Sequence, residues 1–346
     1  MRPLLAIILC IALRFCHSHS FSCLDEDGNP VEWFVGYKFP GGYKYAYILP
    51  GSKSWTMSDN EINSDGMLKK TYELMYDLKD TKNAVYGVYN DAKVEAKADN
   101  AVWYGHMKGA FAFKMPSAGF WIIHSIPKLS TTPGKYGYPN SGRVYGQHFM
   151  CVSLKGNVLE KVAYQLAIAR PQFEDSFISS TLAKQHPDLD RLLNNEPVTK
   201  DLSNVQSFTS AGGDLEMIHF SKAVKYGKDL YAALVAPHLG LSLNVETWQH
   251  GRNEPSYCEG QGPKVYNIRA LEFSDLDISF PNSDDHAKWA ATIPKGREIN
   301  SDKMWICLGD INRQPSQFHR GGGTMCLKNA AVWKAFNELI KEREEC

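Results

Sequence analysis

Two copies of one tripeptide pattern constrain this chain more than any other feature. They are His106-Met107-Lys108 and His286-Ala287-Lys288, 180 residues apart, and no other His-x-Lys occurs. Each is followed at moderate distance by an aromatic, β-rich run: Gly119-Phe120-Trp121-Ile122-Ile123-His124-Ser125 after the first, Met304-Trp305-Ile306-Cys307-Leu308-Gly309-Asp310-Ile311-Asn312 after the second. The repetition suggests an ancient duplication, with approximate halves at 21–195 and 196–346 that each donate one motif to one site. On a strand, residues i and i+2 share a face, so each motif aims an imidazole and an ammonium at the same spot. Two such strands brought together surround a phosphate with two His and two Lys. One imidazole can then attack phosphorus and the other can protonate the leaving oxygen. The ammonium groups stabilise the non-bridging oxygens, so neither a metal nor a cofactor is expected.

Residues 1–20 read as a secretory signal. Arg2 supplies the positive start, 4–13 is an apolar run too short to span a bilayer comfortably, and Ser18-His19-Ser20 offers small residues before a cleavage point. No later stretch has the length and apolarity of a transmembrane helix, so no membrane insertion is expected. Without the signal, six cysteines remain: Cys23, Cys151, Cys258, Cys307, Cys326 and Cys346. An even number in a secreted chain suggests three disulfides, with many connectivities open. Cys307 and Cys326, bracketing Gly321-Gly322-Gly323, are the easiest pair to guess, and the absence of a Cys-x-x-Cys pair argues against structural zinc.

The 38 basic and 38 acidic residues balance, which excludes a polybasic nucleic-acid binder. Loss of Arg2 and Arg14 with the signal leaves the net charge at −2, and protonation of the nine remaining histidines would carry it to +7. Such a chain meets a polyanion better in an acidic place.

Strands are expected at 31–37, 43–49, 85–89, 109–113, 119–124, 230–235, 241–248, 265–271 and 304–308. Helices are expected at 63–79 and 157–169 and around Val332, Phe336 and Ile340. The polar stretch 179–213 reads as the connection between halves. The fold class is therefore α/β, in the sense of mixed α+β.

The longer blocks carry a resemblance. They include Asp27-Gly28-Asn29-Pro30-Val31-Glu32-Trp33-Phe34-Val35, Tyr37-Lys38, Tyr89-Asn90-Asp91, Gly105-His106-Met107-Lys108-Gly109, Tyr145-Gly146-Gln147, Glu246-Thr247-Trp248, Asp285-His286-Ala287-Lys288-Trp289 and Gly309-Asp310-Ile311-Asn312-Arg313. Over nearly the whole mature chain the sequence resembles the deoxyribonuclease II family, the acid DNases of the phospholipase D-like superfamily. The resemblance implies a phospholipase D-like fold with two pseudo-symmetric halves around one active site, spanning 21–346. It implies metal-independent endonucleolytic cleavage of DNA at acid pH through a phosphohistidine, leaving 3′-phosphate and 5′-hydroxyl ends. His106, Lys108, His286 and Lys288 match the two catalytic motifs. His124 matches a further histidine implicated in activity, and Asn312 a phosphate-facing polar residue. The implied disulfides are Cys23–Cys151, Cys258–Cys346 and Cys307–Cys326.

His148, His219 and His250 read as surface histidines, and Asp284 and Asp285 as a solvated loop or as groups orienting His286. The chain departs from the family's usual pattern in having no Asn-x-Ser/Thr sequon, which leaves lysosome and extracellular space both open as destinations. Neither motif has the acid that phospholipase D enzymes place several residues after the Lys, which fits the nuclease branch. A catalytically silent DNA-binding or immune-modulating relative, or a lipid phosphodiesterase of the same fold, would be the competing functions.

Overall fold

The structure, a computed structural model, describes residues 21–91, 104–251, 254–294 and 300–346. The expected signal lies outside the described residues. A short hairpin of β1 (Cys23–Leu24) and β2 (Pro30–Val31) opens the chain. The first large sheet contains β3 (Trp33–Lys38), β4 (Lys44–Ile48), β5 (Thr56–Glu61), β6 (Ala84–Asn90), β7 (Gly109–Lys114), β8 (Ala118–His124), β9 (Gln147–Lys155) and β10 (Gln172–Ile178), in the spatial order β10-β6-β7-β8-β9-β3-β4-β5. The second contains β11 (Ser203–Thr209), β12 (Glu216–Lys222), β13 (Ser242–Thr247), β14 (Val265–Phe273), β15 (Ile278–Pro281), β16 (Lys288–Ile293), β17 (Trp305–Gly309), β18 (Gly322–Lys328) and β19 (Ile340–Arg343). Its order is β11-β12-β18-β17-β16-β13-β14-β15, with β19 on β14.

The centres of the two sheets correspond. The run β6-β7-β8-β9-β3 in the first matches β13-β16-β17-β18-β12 in the second, antiparallel throughout. Each His-x-Lys leads into a central strand, β7 or β16, and the aromatic run downstream of it is the next strand, β8 or β17. The largest apolar core draws on both sheets: Trp33, Val35, Tyr37, Trp121 and Met150 from one, Met217, Trp289, Ile306 and Leu308 from the other. Helix α1 (Met67–Tyr76) covers the outer face of the first sheet with Met67, Leu68, Tyr72 and Met75. Helix α2 (Leu159–Ala169) packs on β11 and β12. Short helices α3 (Ser180–Gln185) and α4 (Pro187–Leu193) follow.

The region expected as a strand at 230–235 is helical, a π-type turn at Tyr231–Val235 running into α5 (Ala236–Leu239). The Asp229 carboxylate accepts from the backbone N–H of Tyr231 (2.8 Å) and Ala232 (3.3 Å), which caps a helix start. A short, wholly apolar run carries no period to betray this. The expected connection at 179–213 holds α3, α4 and β11 rather than an unstructured linker. Helices α6 (Pro315–Phe318) and α7 (Ala330–Asn337) complete the chain. Disulfides join Cys23–Cys151, Cys258–Cys346 and Cys307–Cys326. The last bridges directly opposed residues of β17 and β18.

His219 of β12 is buried, contrary to the surface reading. Its ring lies 4.7 Å from Trp121, its Nδ1 is 3.1 Å from Gln165 Oε1, and burial lowers its pKa to about 3. Between that value and the ordinary histidine value near ~6.5 the unfolded chain binds a proton that the folded chain does not, so stability is lost as the pH drops through this window. His219→Gln keeps an amide partner for Gln165 and cannot titrate. Its unfolding free energy is expected to fall less steeply between about pH 6 and pH 4, by roughly 1.4 kcal/mol per pH unit, in chemical denaturation measured across that range. Equal slopes for variant and parent would contradict the assignment.

Candidate active site

Neither motif histidine sits on a strand, as the i, i+2 argument expected. His106 precedes β7 by three residues and His286 precedes β16 by two. Instead, each motif is stitched by its backbone to the opposite half. His106 N–H donates to Gly321 O (2.7 Å) and His286 N–H to Gly146 O (2.9 Å). Lys108 N–H donates to Asp310 Oδ1 (3.2 Å) and Lys288 N–H to His148 Nδ1 (3.1 Å). Side-chain acceptors thus take these two lysine N–H groups at the entry to β7 and β16.

The rings are held in the same crossed way. His106 Nδ1 lies 2.7 Å from Asp310 O, and His286 Nδ1 lies 3.0 Å from Ser125 O and 3.2 Å from Gln147 Oε1. Asp310 is the first residue after β17 and Ser125 the first after β8. A carbonyl oxygen only accepts, so both Nδ1 atoms carry a proton and both Nε2 atoms face away from these carbonyls, that of His106 towards the Asp91 carboxylate.

Charge is concentrated here. Lys108 and Lys288 are buried. Lys108 Nζ pairs with Asp91 Oδ2 at 2.9 Å, and His106 Nε2 lies 3.3 Å from the same oxygen. The Lys288 ammonium donates to the His286 carbonyl. Burial, then the charge of Lys108, lowers both His106 and Lys288; burial, then Lys288 and Lys108, lowers His286. All four motif residues therefore act on one another electrostatically. Burial alone would raise Asp91, but Lys108 and His106 outweigh it and hold the carboxyl below its ordinary value. Asp310 goes the other way, and burial raises it to about 7.

Other expected residues fall in different places. His124, at the end of β8, is buried; its backbone N–H donates to Lys108 O, and its Nε2 lies 3.2 Å from Tyr72 Oη. Burial lowers it to about 3, so it is a neutral group behind the motif. Asn312 is buried two residues beyond Asp310, with Oδ1 lacking a hydrogen-bond partner among the described residues. His148, read as a surface residue, is fully buried, because β9 is covered on both faces. Its Nδ1 accepts from Lys288, so the proton sits on a buried Nε2 with no partner among the described residues. Asp285 is not solvated. Tyr37 Oη donates to its Oδ2, Ala287 N–H donates to its Oδ1 (3.1 Å), and burial raises its pKa to about 6. Asp284 is exposed. His250 is exposed and stacks on Trp248 with ring centroids 4.0 Å apart, and Trp248 meets the His286 ring edge-on at 5.0 Å.

Five of the nine mature histidines, His106, His124, His148, His219 and His286, are held below their ordinary value, chiefly by burial. With those five neutral, the histidines contribute four of the nine expected charges, so their part of the swing is corrected from +7 to +2. Asp91, Asp310 and His148 carry partners of the site that the motif pattern did not mark. Two of them stood in the resembling blocks, Tyr89-Asn90-Asp91 and Gly309-Asp310-Ile311, without a role.

No group of three or more His, Cys, Asp or Glu converges as a metal-ligand set among the described residues, and none of their helices is long and apolar enough to cross a membrane. The family model for deoxyribonuclease II matches residues 22–346. Deoxyribonuclease-2-beta of Rattus norvegicus is 34% identical, covering 94% of this chain and 92% of its own. Plancitoxin-1 of Acanthaster planci is 34% identical over 100% of this chain and 98% of its own, and deoxyribonuclease-2-alpha of Mus musculus 30% identical over 98% and 97%. Yeast tyrosyl-DNA phosphodiesterase shares 10% identity over 64% of this chain and 66% of its own, with a TM-score of 0.33. The chain belongs to the deoxyribonuclease II family.

Proposed function

We propose that the protein is an acid endodeoxyribonuclease that cleaves DNA phosphodiesters through a phosphohistidine, with no divalent metal, in the lysosome or outside the cell. One observation carries this reading: both motif histidines give their Nδ1 proton to a carbonyl of the opposite half, leaving two Nε2 atoms beside two buried lysines. In the first step one Nε2 attacks phosphorus. An N–P bond forms, the P–O5′ bond breaks, and the other imidazolium gives its proton to the departing 5′ oxygen. In the second step water attacks phosphorus and gives its proton to that second imidazole. The N–P bond breaks, freeing the 3′-phosphate. Lys108, Lys288 and the unpartnered His148 Nε2–H are the groups suited to hold the non-bridging oxygens.

The acid range follows from the site. A general acid must be protonated, and both motif histidines are pushed down by burial first and by the lysines next. Their protonation is complete only on the acid side of ~6.5, so the alkaline limb of kcat/KM is expected to lie below that value. Supercoiled plasmid incubated at about pH 5 with EDTA is expected to be nicked, with 3′-phosphate ends. Folded, disulfide-bonded protein that leaves the plasmid intact would overturn the nuclease reading. Activity abolished by EDTA would overturn its metal-free part.

A further inference from the structure

Two lysines outside the reaction scheme are fully buried and sit at matching places. Lys38 is the last residue of β3 and Lys222 the last of β12. Each is paired in register with the first residue of the neighbouring strand, Lys38 with Gln147 and Lys222 with Gly322. Neither forms an ion pair among the described residues; their ammonium groups donate to main-chain carbonyls instead. Lys38 Nζ donates to Arg143 O (3.0 Å) and Tyr145 O. Lys222 Nζ donates to Gln317 O (3.0 Å), Phe318 O (3.1 Å) and Arg320 O.

The carbonyls belong to two straps, 143–146 and 317–321, and each strap ends on the glycine whose carbonyl receives a motif histidine. Gly146 O accepts from His286 N–H and Gly321 O from His106 N–H. Both glycines are wedged. A Cβ on Gly146 would lie 2.3 Å from Asp285 Oδ1, and one on Gly321 would lie 2.1 Å from Ala169 O. The Gln147 side chain, next along the first strap, also touches His286. An ammonium buried among carbonyls is costly unless its hydrogens are used, and here they are spent on fixing the two straps.

We propose that Lys38 and Lys222 are paired positioning residues, each locking the strap that presents the motif histidine of the opposite half: Lys38 for His286 and Lys222 for His106. Burial brings both ammonium groups down to about 7, so both stay charged at acid pH and the straps are gripped where the enzyme works. The inference rests on the two histidines acting as nucleophile and acid. A misplacement of about 1 Å in either can cost about a hundredfold in rate.

The test is steady-state kinetics of Lys38→Met and Lys222→Met on DNA, and on an oligonucleotide ending in a 3′-(4-nitrophenyl) phosphodiester, whose leaving group needs no proton. Both variants are expected to lose roughly tenfold to a hundredfold in kcat on DNA with KM nearly unchanged. In the single-turnover rate of nitrophenol release, which reports the first step alone, one of the two should recover most of that loss, the one whose strap holds the acid, while the other does not. Lys264→Met is the control, because Lys264 also caps loop carbonyls, Cys258 O and Gly260 O, but on a loop that touches neither motif; its kcat should stay at the parental value. Lys38→Gln and Lys222→Gln keep two donors and serve if a Met variant does not fold, with a smaller loss of the same pattern. Parental kcat in both strap variants, a rise in KM alone, or equal losses on both substrates for both variants would overturn the proposal. An inactive parent protein would instead overturn the nuclease reading beneath it.

Discussion

His106→Ala and His286→Ala are each expected to reduce DNA cleavage at acid pH by about a thousandfold or more, with melting temperatures near the parental value. A positioned acid or base contributes about 10²–10⁴-fold, and loss of a covalent nucleophile removes the first step outright. Neither ring belongs to an apolar core cluster: His106 is buried among polar groups and His286 is partly exposed. Gel-based cleavage rates for purified, disulfide-bonded variants check this. A variant of either residue that keeps more than a tenth of the parental rate would remove that histidine from the chemistry. The effects should also be strongly non-additive. With one histidine gone, loss of the second has little left to remove, as expected of groups that act as a unit.

The largest expected effect on stability comes from Cys23→Ser/Cys151→Ser. This bridge closes a separation of 128 residues and ties the N-terminal hairpin to the middle of β9, the strand that carries Gln147 and His148 and follows the Gly146 strap. By chain entropy a loop of that size contributes about 4–5 kcal/mol, which for a chain of this length is a fall in Tm of roughly 7 °C. The Cys307–Cys326 bridge closes a separation of only 19 residues between strands already hydrogen-bonded, and its removal is expected to cost about 3 kcal/mol. Calorimetry of both double variants under non-reducing conditions checks the order. A larger loss from the short loop than from the long one would contradict an entropic origin.

What was legible in the sequence was local. Strands with aromatic and β-branched residues, such as 109–113 and 119–124, lie within a residue of β7 and β8. The apolar run at 230–235 reads as a strand because a buried helix and a buried strand look alike over six residues, and the signal that decides for helix is the single capping carboxylate of Asp229. The motif residues were legible as a repeat, but their mounting was not. His106 and His286 take their main-chain partners from Gly321 and Gly146, far along the chain, and no periodicity encodes such a pairing. His148 reads as a surface residue for a different reason. No strand is expected at 147–155, and burial of both faces of β9, which forms there, decides the place of His148. Two acids outside the repeat reach the first motif, Asp91 from just beyond β6 and Asp310 from just beyond β17.

The covalent phosphohistidine is the central claim, and the stereochemical course at phosphorus tests it most directly. A phosphorothioate diester of one configuration is cleaved in ¹⁸O-labelled water, and the configuration of the resulting 3′-thiophosphate is determined. Two successive in-line displacements, by histidine and then by water, predict retention. Inversion would mean that water attacks phosphorus directly, and would contradict a histidine-bound intermediate.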